Sequence, residues 1–404
     1  MPDLADIVAG RARVGELRDV IVTELLGREV VAPIDRLLRG SIEGKAVLVT
    51  GAGGSIGSEL CRRIIELSPG RLVLVEQSEV ALYTIDRELR AALASLPNSV
   101  EITPLLGNAG DGGRMNELFA TFRIDTVYHA AAYKHVPIVE QNIVEGVRNN
   151  ALATWRLSEA AISAGVETFV LVSTDKAVNP TNVMGATKRV AELVVQAAQQ
   201  RGAMTRFAIV RFGNVLESSG SVVPLFREQI ARGGPITVTH PDVIRYFMTI
   251  QEASALVIQA SSLAKGGDVF LLDMGEPVRI DELARRMVRL SGLTIRDCQH
   301  PDGDIEVHYT GLRPAEKLSE ELLVSPTAER TEHARILRAF EQPVPWESLR
   351  RKLVELEEAV ACGSARHARE LLATIVCEYT PSPGAEDLVQ RASSAAVSLN
   401  ARPG

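Results

Sequence analysis

From residue 45 onward the chain alternates two textures, short unbroken apolar runs and longer stretches with an apolar residue every three or four positions. The runs at 46–50, 71–76, 126–130, 168–173 and 207–211 predict strands, and their lack of polar alternation marks strands covered on both faces. The stretches between them, such as 58–67 and 189–199, carry the 3.6-residue period of amphipathic helices. Strand and helix in strict alternation predict an α/β fold, a doubly wound parallel sheet.

The pattern changes at both ends. Residues 1–44 read as a helical N-terminal arm, with Leu17, Val20, Ile21 and Leu25 at helical spacing. The doubly wound domain is expected over 45–212. Residues 213–330 are looser and richer in Gly and Pro, and read as a smaller substrate-binding part. A strand near 269–272 is a candidate to return to the main sheet. Helices are predicted over 346–361 and 365–376 within a C-terminal helical segment, 331–380. The Pro, Ser, Ala and Gly tail of 381–404 is expected to be disordered.

Composition narrows the function classes. With 404 residues, 46% hydrophobic and 24% charged, the chain can bury a sizeable core. Its 44 Lys and Arg against 51 Asp and Glu give a net charge of −7, which argues against nucleic acid or an anionic membrane as a partner held by bulk electrostatics. An anionic ligand would need locally placed cations. Cys61, Cys298, Cys362 and Cys377 show neither zinc nor redox-pair spacing, which suits a reducing, cytoplasmic setting. No apolar run reaches bilayer-spanning length, so no direct membrane contact is expected of this chain.

A glycine-rich turn, Val47-Leu-Val-Thr-Gly-Ala-Gly-Gly-Ser-Ile-Gly57, joins the first strand to the first helix. Gly51, Gly53, Gly54 and Gly57 let the backbone turn sharply and approach a pyrophosphate, with Ser55 and Ile56 opening the helix whose N–H groups would meet the charge. Glu76, followed by Gln77, closes the next strand. A carboxylate there suits both ribose hydroxyls of NAD and would repel the extra phosphate of NADP. Together these features read as a Rossmann-type NAD site.

The strand at 168–173 runs into Thr174, Asp175 and Lys176 at its carboxyl end, where open α/β sheets bind ligands. Met184-Gly-Ala-Thr-Lys188 follows, its four-residue spacing placing Met184 and Lys188 on one helix face. An Asp-Lys pair after a strand reads either as a helix cap with a solvated charge or as a paired acid and base. His129 and His135 lack the clustered partners of a metal site, so no metal is expected.

The glycine spacing and the position of Met184 and Lys188 resemble the extended short-chain dehydrogenase/reductase superfamily, with Met184 at the place of its Tyr. More narrowly, the run from Ser173 to Arg189 resembles the UDP-N-acetylglucosamine 4,6-dehydratases of the bacterial polysaccharide-biosynthesis family. Further matches are His129 to Pro137, Arg211-Phe-Gly-Asn-Val215, Gly220 to Phe226, Thr237-Val-Thr-His-Pro241, Arg245-Tyr-Phe-Met-Thr249 and Gly311 to Lys317. Met at this site is typical of the large, membrane-anchored subgroup, which implies the soluble part of an inner-membrane-anchored protein, or a naturally short form.

The resemblance implies a lyase that dehydrates UDP-N-acetylglucosamine to a UDP-2-acetamido-2,6-dideoxy-4-keto-hexose with retained C5 configuration. Tightly held NAD would take hydride from C4 and return it to C6. Lys176 would be the base at C5, Asp175 the acid at the C6 hydroxyl, Thr174 a partner of the C4 oxygen and Lys188 a cation at the nicotinamide ribose. The Met184 thioether cannot accept the C4 hydroxyl proton. Further cofactor contacts implied are Asn108, Ala109, Ala130, Ala131, Ala132 and Asn150. For the substrate they are Lys134, His135, Asn214, Val223, Pro224, Thr237, Thr239, Arg245, Arg313 and Glu316. A homo-oligomer is also implied. The sequence departs from the family at Asn108, usually Asp, and at Glu217, usually Gly. The competing readings are a UDP-sugar 4-epimerase and a non-catalytic NAD-binding sensor.

Overall fold

The structure, a computed structural model, describes residues 31–96, 99–202, 204–321, 328–382 and 387–392. The helical spacing noted at 17–25 lies outside the described residues. The chain divides into two compact units interleaved in sequence. The larger takes 32–213, 253–273 and the chain from Arg313 onward, and the smaller takes 214–252 and 274–312.

The larger unit is built on a nine-stranded sheet. Its strands are β1 (Ala46–Thr50), β2 (Arg71–Glu76), β3 (Glu101–Leu106), β4 (Thr126–His129), β5 (Thr168–Val172), β6 (Arg206–Arg211), β7 (Asp268–Leu272), β8 (Ala328–Arg330) and β9 (Ile336–Ala339). Their order is β3-β2-β1-β4-β5-β6-β7-β9-β8. Every pair from β3 to β7 is parallel, and β9 closes antiparallel on β7. The parallel strands follow from the apolar runs: Val47, Leu48, Val49, Phe169, Val170 and Leu171 are fully buried. Each such side chain contributes roughly 1.5–3 kcal/mol of burial.

Three of these strands escape the apolar pattern. In β3, Pro104 interrupts the ladder, which an edge strand tolerates because one side of it needs no N–H donors. In β9, Arg338 sits in the sheet by pairing with Asp268 at 2.8 Å and lying over the Phe270 ring. The short β8 pairs with β9 alone.

The unit boundaries differ from the expected 213–330 block, because the helix Ile250–Leu263 carries the chain back into the sheet as β7, parallel to β6. Of the arm preceding β1, residues 32–44 belong to this unit: Leu37 is fully buried, and Ser262 Oγ donates to its carbonyl at 2.6 Å.

The C-terminal helices Trp346–Ala361 and Ala365–Ile375 share one apolar cluster with the helix Val183–Gln200, through Leu353, Leu356 and Leu372 and through Val183, Val190 and Val194. The segment from Pro381, expected to be disordered, is anchored where it is described. Ser382 N–H donates to Thr181 O at 3.2 Å, and Asp387 Oδ2 accepts from Ile143 N–H at 2.9 Å. Composition does not register such backbone anchors.

The smaller unit holds two two-stranded sheets and one three-stranded sheet of short strands, with an apolar cluster that includes Leu216, Phe226, Ile236, Phe247 and Met287. Glu217 has a φ of 61°, in the left-handed region, so the glycine that the resemblance leads one to expect there has a steric reason. Among the described residues no helix is long and apolar enough to cross a membrane.

Candidate functional site

Strand order reverses direction between β1 and β4: the chain builds outward through β2 and β3 on one side and through β5, β6 and β7 on the other. Ligands of open α/β sheets bind at such a switch point, beyond the carboxyl ends of the strands. A cleft of about 240 Å³ lies there, lined by Gly51, Gly53 and Gly54 after β1, Glu76 and Gln77 at the end of β2, Gly107, Asn108 and Ala109 after β3, and Ala130, Ala131, Ala132 and Tyr133 after β4.

The glycine loop is held from within. Gly51 has a φ of 65°, and a Cβ on it would lie 2.8 Å from Ala131 Cα. A Cβ on Gly57 would lie 2.0 Å from Gly51 O, and one on Gly53 would lie 2.5 Å from Ala81 Cβ. Part of the glycine requirement is therefore the closure of the loop on its own protein neighbours, not only room for a ligand. The helix α1 (Ser55–Glu66) starts directly after Gly54, which lines the cleft and offers no side-chain cap, so the helix N-terminus stands at the cleft wall. Ser55 and Ile56 open this helix.

Glu76 accepts from Gly53 N–H at 3.0 Å through Oε2 and from the N–H groups of Gln77 and Ser78 at 2.9 and 3.0 Å through Oε1. It thus fixes the glycine loop to the end of β2 and keeps lone pairs for ribose hydroxyls. Asn108 Oδ1 accepts from Gly110 N–H at 2.7 Å. A glycine cradle, an uncapped helix start and a carboxylate at the second strand fit a dinucleotide.

Asn150 stands behind the cleft in a π-helical stretch, Val147–Leu152. Its Oδ1 accepts from Tyr133 N–H at 2.8 Å, and its Nδ2 donates to Tyr133 O and to Thr187 Oγ1, both at 3.0 Å. It fixes the loop after β4 to the helix that carries Lys188. Its side chain is not among the cleft-lining groups.

The end of β5 carries the second cluster. Asp175 is 1% exposed; its Oδ1 accepts from Thr174 Oγ1 at 2.8 Å and from Lys176 Nζ at 2.9 Å, while Oδ2 has no hydrogen-bond partner among the described residues. The turn is tied to β6 by Asp175 N–H donating to Phe212 O at 3.1 Å. After it, Asn182 caps the helix α5 (Val183–Gln200) by accepting from Gly185 N–H at 2.7 Å. Gly185 is required for contact: a Cβ there would lie 2.1 Å from Lys176 O.

(The helices of more than ten residues between α1 and α5 are α2, Glu79–Leu93; α3, Gly112–Phe122; and α4, Ala153–Ala164.) One turn into α5, Lys188 is buried and donates to Val172 O at 2.7 Å. Burial draws its pKa down to about 8, against the opposing pull of Glu192. Met184 is 3% exposed within the apolar cluster of α5 and the C-terminal helices. His129 is buried between the hydroxyls of Thr50, at 2.7 Å, and Thr154, at 3.0 Å. Burial, with Lys188 adding to it, lowers its pKa to about 3 and keeps it neutral. Among the described residues no group of His, Cys, Asp and Glu could hold a metal ion.

The residues singled out for substrate divide between the units. In the larger, Lys134 and His135 follow β4, with His135 at the start of the helix Val136–Glu140, and Arg313 is exposed with its N–H donating to Glu316 Oε2 at 3.0 Å. In the smaller, Asn214 N–H donates to Tyr246 O at 3.0 Å, Thr237 Oγ1 accepts from Gln229 Nε2 at 2.7 Å, and the buried Arg245 donates to Ile244 O at 2.7 Å. Pro224 and Thr239 are half-buried. The Val223 side chain belongs to the apolar core of that unit, which leaves its backbone as the part able to meet a ligand.

Sequence reasoning passed over Tyr133, Asn149 and Ala153, which line the cleft. It also passed over Glu192, four residues beyond Lys188. The same i, i+4 spacing that linked Met184 to Lys188 would have pointed to it.

The model of the family described as "Polysaccharide biosynthesis protein" matches residues 47–341. The chain is 48% identical over 323 residues to the capsular polysaccharide biosynthesis protein CapD of Staphylococcus aureus, covering 80% of this chain and 52% of that one. It thus spans about half the length of this relative. It is 28% identical over 292 residues to the UDP-N-acetylglucosamine 4,6-dehydratase (inverting) of Campylobacter jejuni, covering 71% of this chain and 80% of that one. Among solved structures, MoeE5 in complex with UDP-glucuronic acid and NAD aligns with a TM-score of 0.55 at 25% identity, covering 68% of this chain and 89% of that one.

Proposed function

The chain belongs to the polysaccharide biosynthesis protein family, and from that premise we propose that it is a lyase that dehydrates UDP-N-acetylglucosamine between C4 and C6 with NAD, in the making of a bacterial surface glycan. The observation that carries this reading is the Asp175–Lys176 ion pair at the carboxyl end of β5, joined at 2.9 Å with Asp175 buried and Lys176 half-buried, together with Lys188 on α5, which holds Val172 O at the end of the same strand. The dehydratase and NAD-bound relatives support it.

The Gly51–Gly57 loop and Glu76 would hold NAD, which when bound would accept the C4 hydrogen and return it to C6. The protein does the proton work. Oxidation at C4 makes the neighbouring C5–H acidic enough for a side-chain base. A proton passing from Lys176 Nζ to Asp175 leaves an amine and a carboxylic acid side by side. The amine then takes the C5 proton, and the acid gives its proton to the departing C6 hydroxyl, which leaves as water. The pair is thereby returned to ammonium and carboxylate; as hydride returns to C6 the Lys176 ammonium protonates C5, and the proton released from the C4 hydroxyl on oxidation, carried by water, restores the ammonium. The cation of Lys188 lowers the energy of negative charge on the C4 oxygen, which Thr174 Oγ1 can also meet. An epimerase needs the hydride steps but no acid and base directed at C5 and C6.

The test is incubation with UDP-N-acetylglucosamine in deuterated water, followed by NMR. A C6 methyl group with deuterium at C5 is expected, and for the C5 configuration we propose retention. A C4 epimer without a methyl group would replace the dehydratase by an epimerase. Unchanged sugar with NAD bound would favour a sensor.

A further inference from the structure

A buried charge cluster in the larger unit takes no part in the proton steps. Arg211, at the end of β6, is fully buried and grips Glu192 with two hydrogen bonds, Nε to Oε1 at 2.7 Å and Nη2 to Oε2 at 2.6 Å. Glu341 accepts from Arg211 Nη1 at 2.5 Å, and Arg189 Nη1 reaches Glu192 at 3.1 Å and Glu341 at 2.7 Å. Isolated from water, such a set of ions is poor value for stability alone, since well-packed apolar residues serve as well or better.

One bond leads from this cluster toward the chemistry. Ser173 Oγ donates to Glu192 Oε1 at 2.7 Å, and Ser173 immediately precedes Thr174, Asp175 and Lys176. Glu192 also lies one turn beyond Lys188 on α5. A single carboxylate therefore touches the strand end that leads into the acid–base turn, the helix that carries the cation, and, through Arg211, the strand whose continuation at Phe212 holds Asp175 N–H.

We propose that Glu192 is a positioning residue, which through the Ser173 hydroxyl sets the Thr174–Lys176 turn in register with Lys188. The proposal rests on the dehydratase reading for its kinetic consequence. Burial by itself would raise the Glu192 pKa, but the charge and hydrogen bonds of Arg211, then Arg189 and Ser173, outweigh it and hold the group at about 2. The handle stays ionised at any working pH.

Ser173→Ala is the informative variant, because it cuts the handle and leaves both arginines paired, whereas removing Glu192 would strand buried guanidinium groups. Two readouts are taken on the full chain: turnover of UDP-N-acetylglucosamine, and amide hydrogen exchange at Asp175, Ala177 and Val178. Misplacement of a reacting group by a fraction of an ångström should lower kcat about tenfold to a hundredfold with KM within about twofold. Exchange at those amides should quicken about tenfold. The pH profile should keep its shape, and Ser173→Thr, which restores a hydroxyl, should recover most of both losses. Unchanged exchange overturns the proposal, as does faster exchange with unchanged kcat. Should the unaltered chain leave the sugar untouched, the dehydratase reading fails and exchange alone decides on the positioning.

Discussion

Lys188 shows how one buried group links stability to activity. Its ammonium is drawn to a pKa of about 8 by burial, while in the unfolded chain it titrates near the ordinary value of about 10.4. Between those values the unfolded state binds more protons, so the cost of burying the charge is full below about pH 8 and fades as pH rises. Denaturant melts at about pH 7 and about pH 10 should show wild type gaining on Lys188→Met across that interval. In the proposed mechanism turnover needs the cation and should fall above about pH 8; a flat profile to pH 10 would contradict the proposed role. Met184 behaves as core: Met184→Leu should cost under about 1.5 kcal/mol and leave turnover within a few-fold. A hundredfold loss of kcat would instead assign the thioether a direct part.

At the scale of the element, α5 is the piece on which the site depends. It is capped by Asn182, seated on Lys176 O through Gly185, fixed to the loop after β4 by Thr187 and Asn150, and covered by the C-terminal helices. Gly185→Ala would gain helix propensity, about 1 kcal/mol in an exposed helix. Here its Cβ would meet Lys176 O at 2.1 Å, so either the helix start or the Thr174–Lys176 turn must move. We expect Gly185→Ala to retain NAD binding, whose cleft it does not line, and to lose at least about a hundredfold in kcat. Comparing cofactor affinity with turnover in the one variant checks this, and a variant as active as wild type would show that the contact relaxes without consequence.

For the molecule as a whole, the ligand that binds the native cleft and not the unfolded chain should stabilise by mass action. NAD at a hundredfold over its Kd should add about 2.7 kcal/mol to the unfolding free energy, and Gly51→Ala, with its Cβ against Ala131, should abolish the gain. Calorimetry with and without NAD measures it; equal gains in both forms would place the cofactor elsewhere. Much of this architecture was legible along the chain, because β1, β2, β4, β5 and β6 are continuous apolar runs and the glycine loop, Asp175–Lys176 and Lys188 are local motifs. Local pattern carries such features because burial on both faces and tight turns each constrain residues next to one another. What it left out depends on partners far along the chain: Pro104 acceptable only at a sheet edge, Arg338 acceptable only beside Asp268, Arg211 meeting both Glu192 and Glu341, and Ser382 and Asp387 anchored on Thr181 and Ile143. The sequence by itself determined the α/β class, the cofactor loop and the local motifs that bring Asp175 next to Lys176 and place Lys188 on the following helix. Only the tertiary structure decided that Met184 is core, that Glu76 closes the glycine loop, and that a buried carboxylate stands behind the acid–base turn, because burial and hydrogen-bond pairing are settled by what the fold brings together rather than by neighbours in the chain.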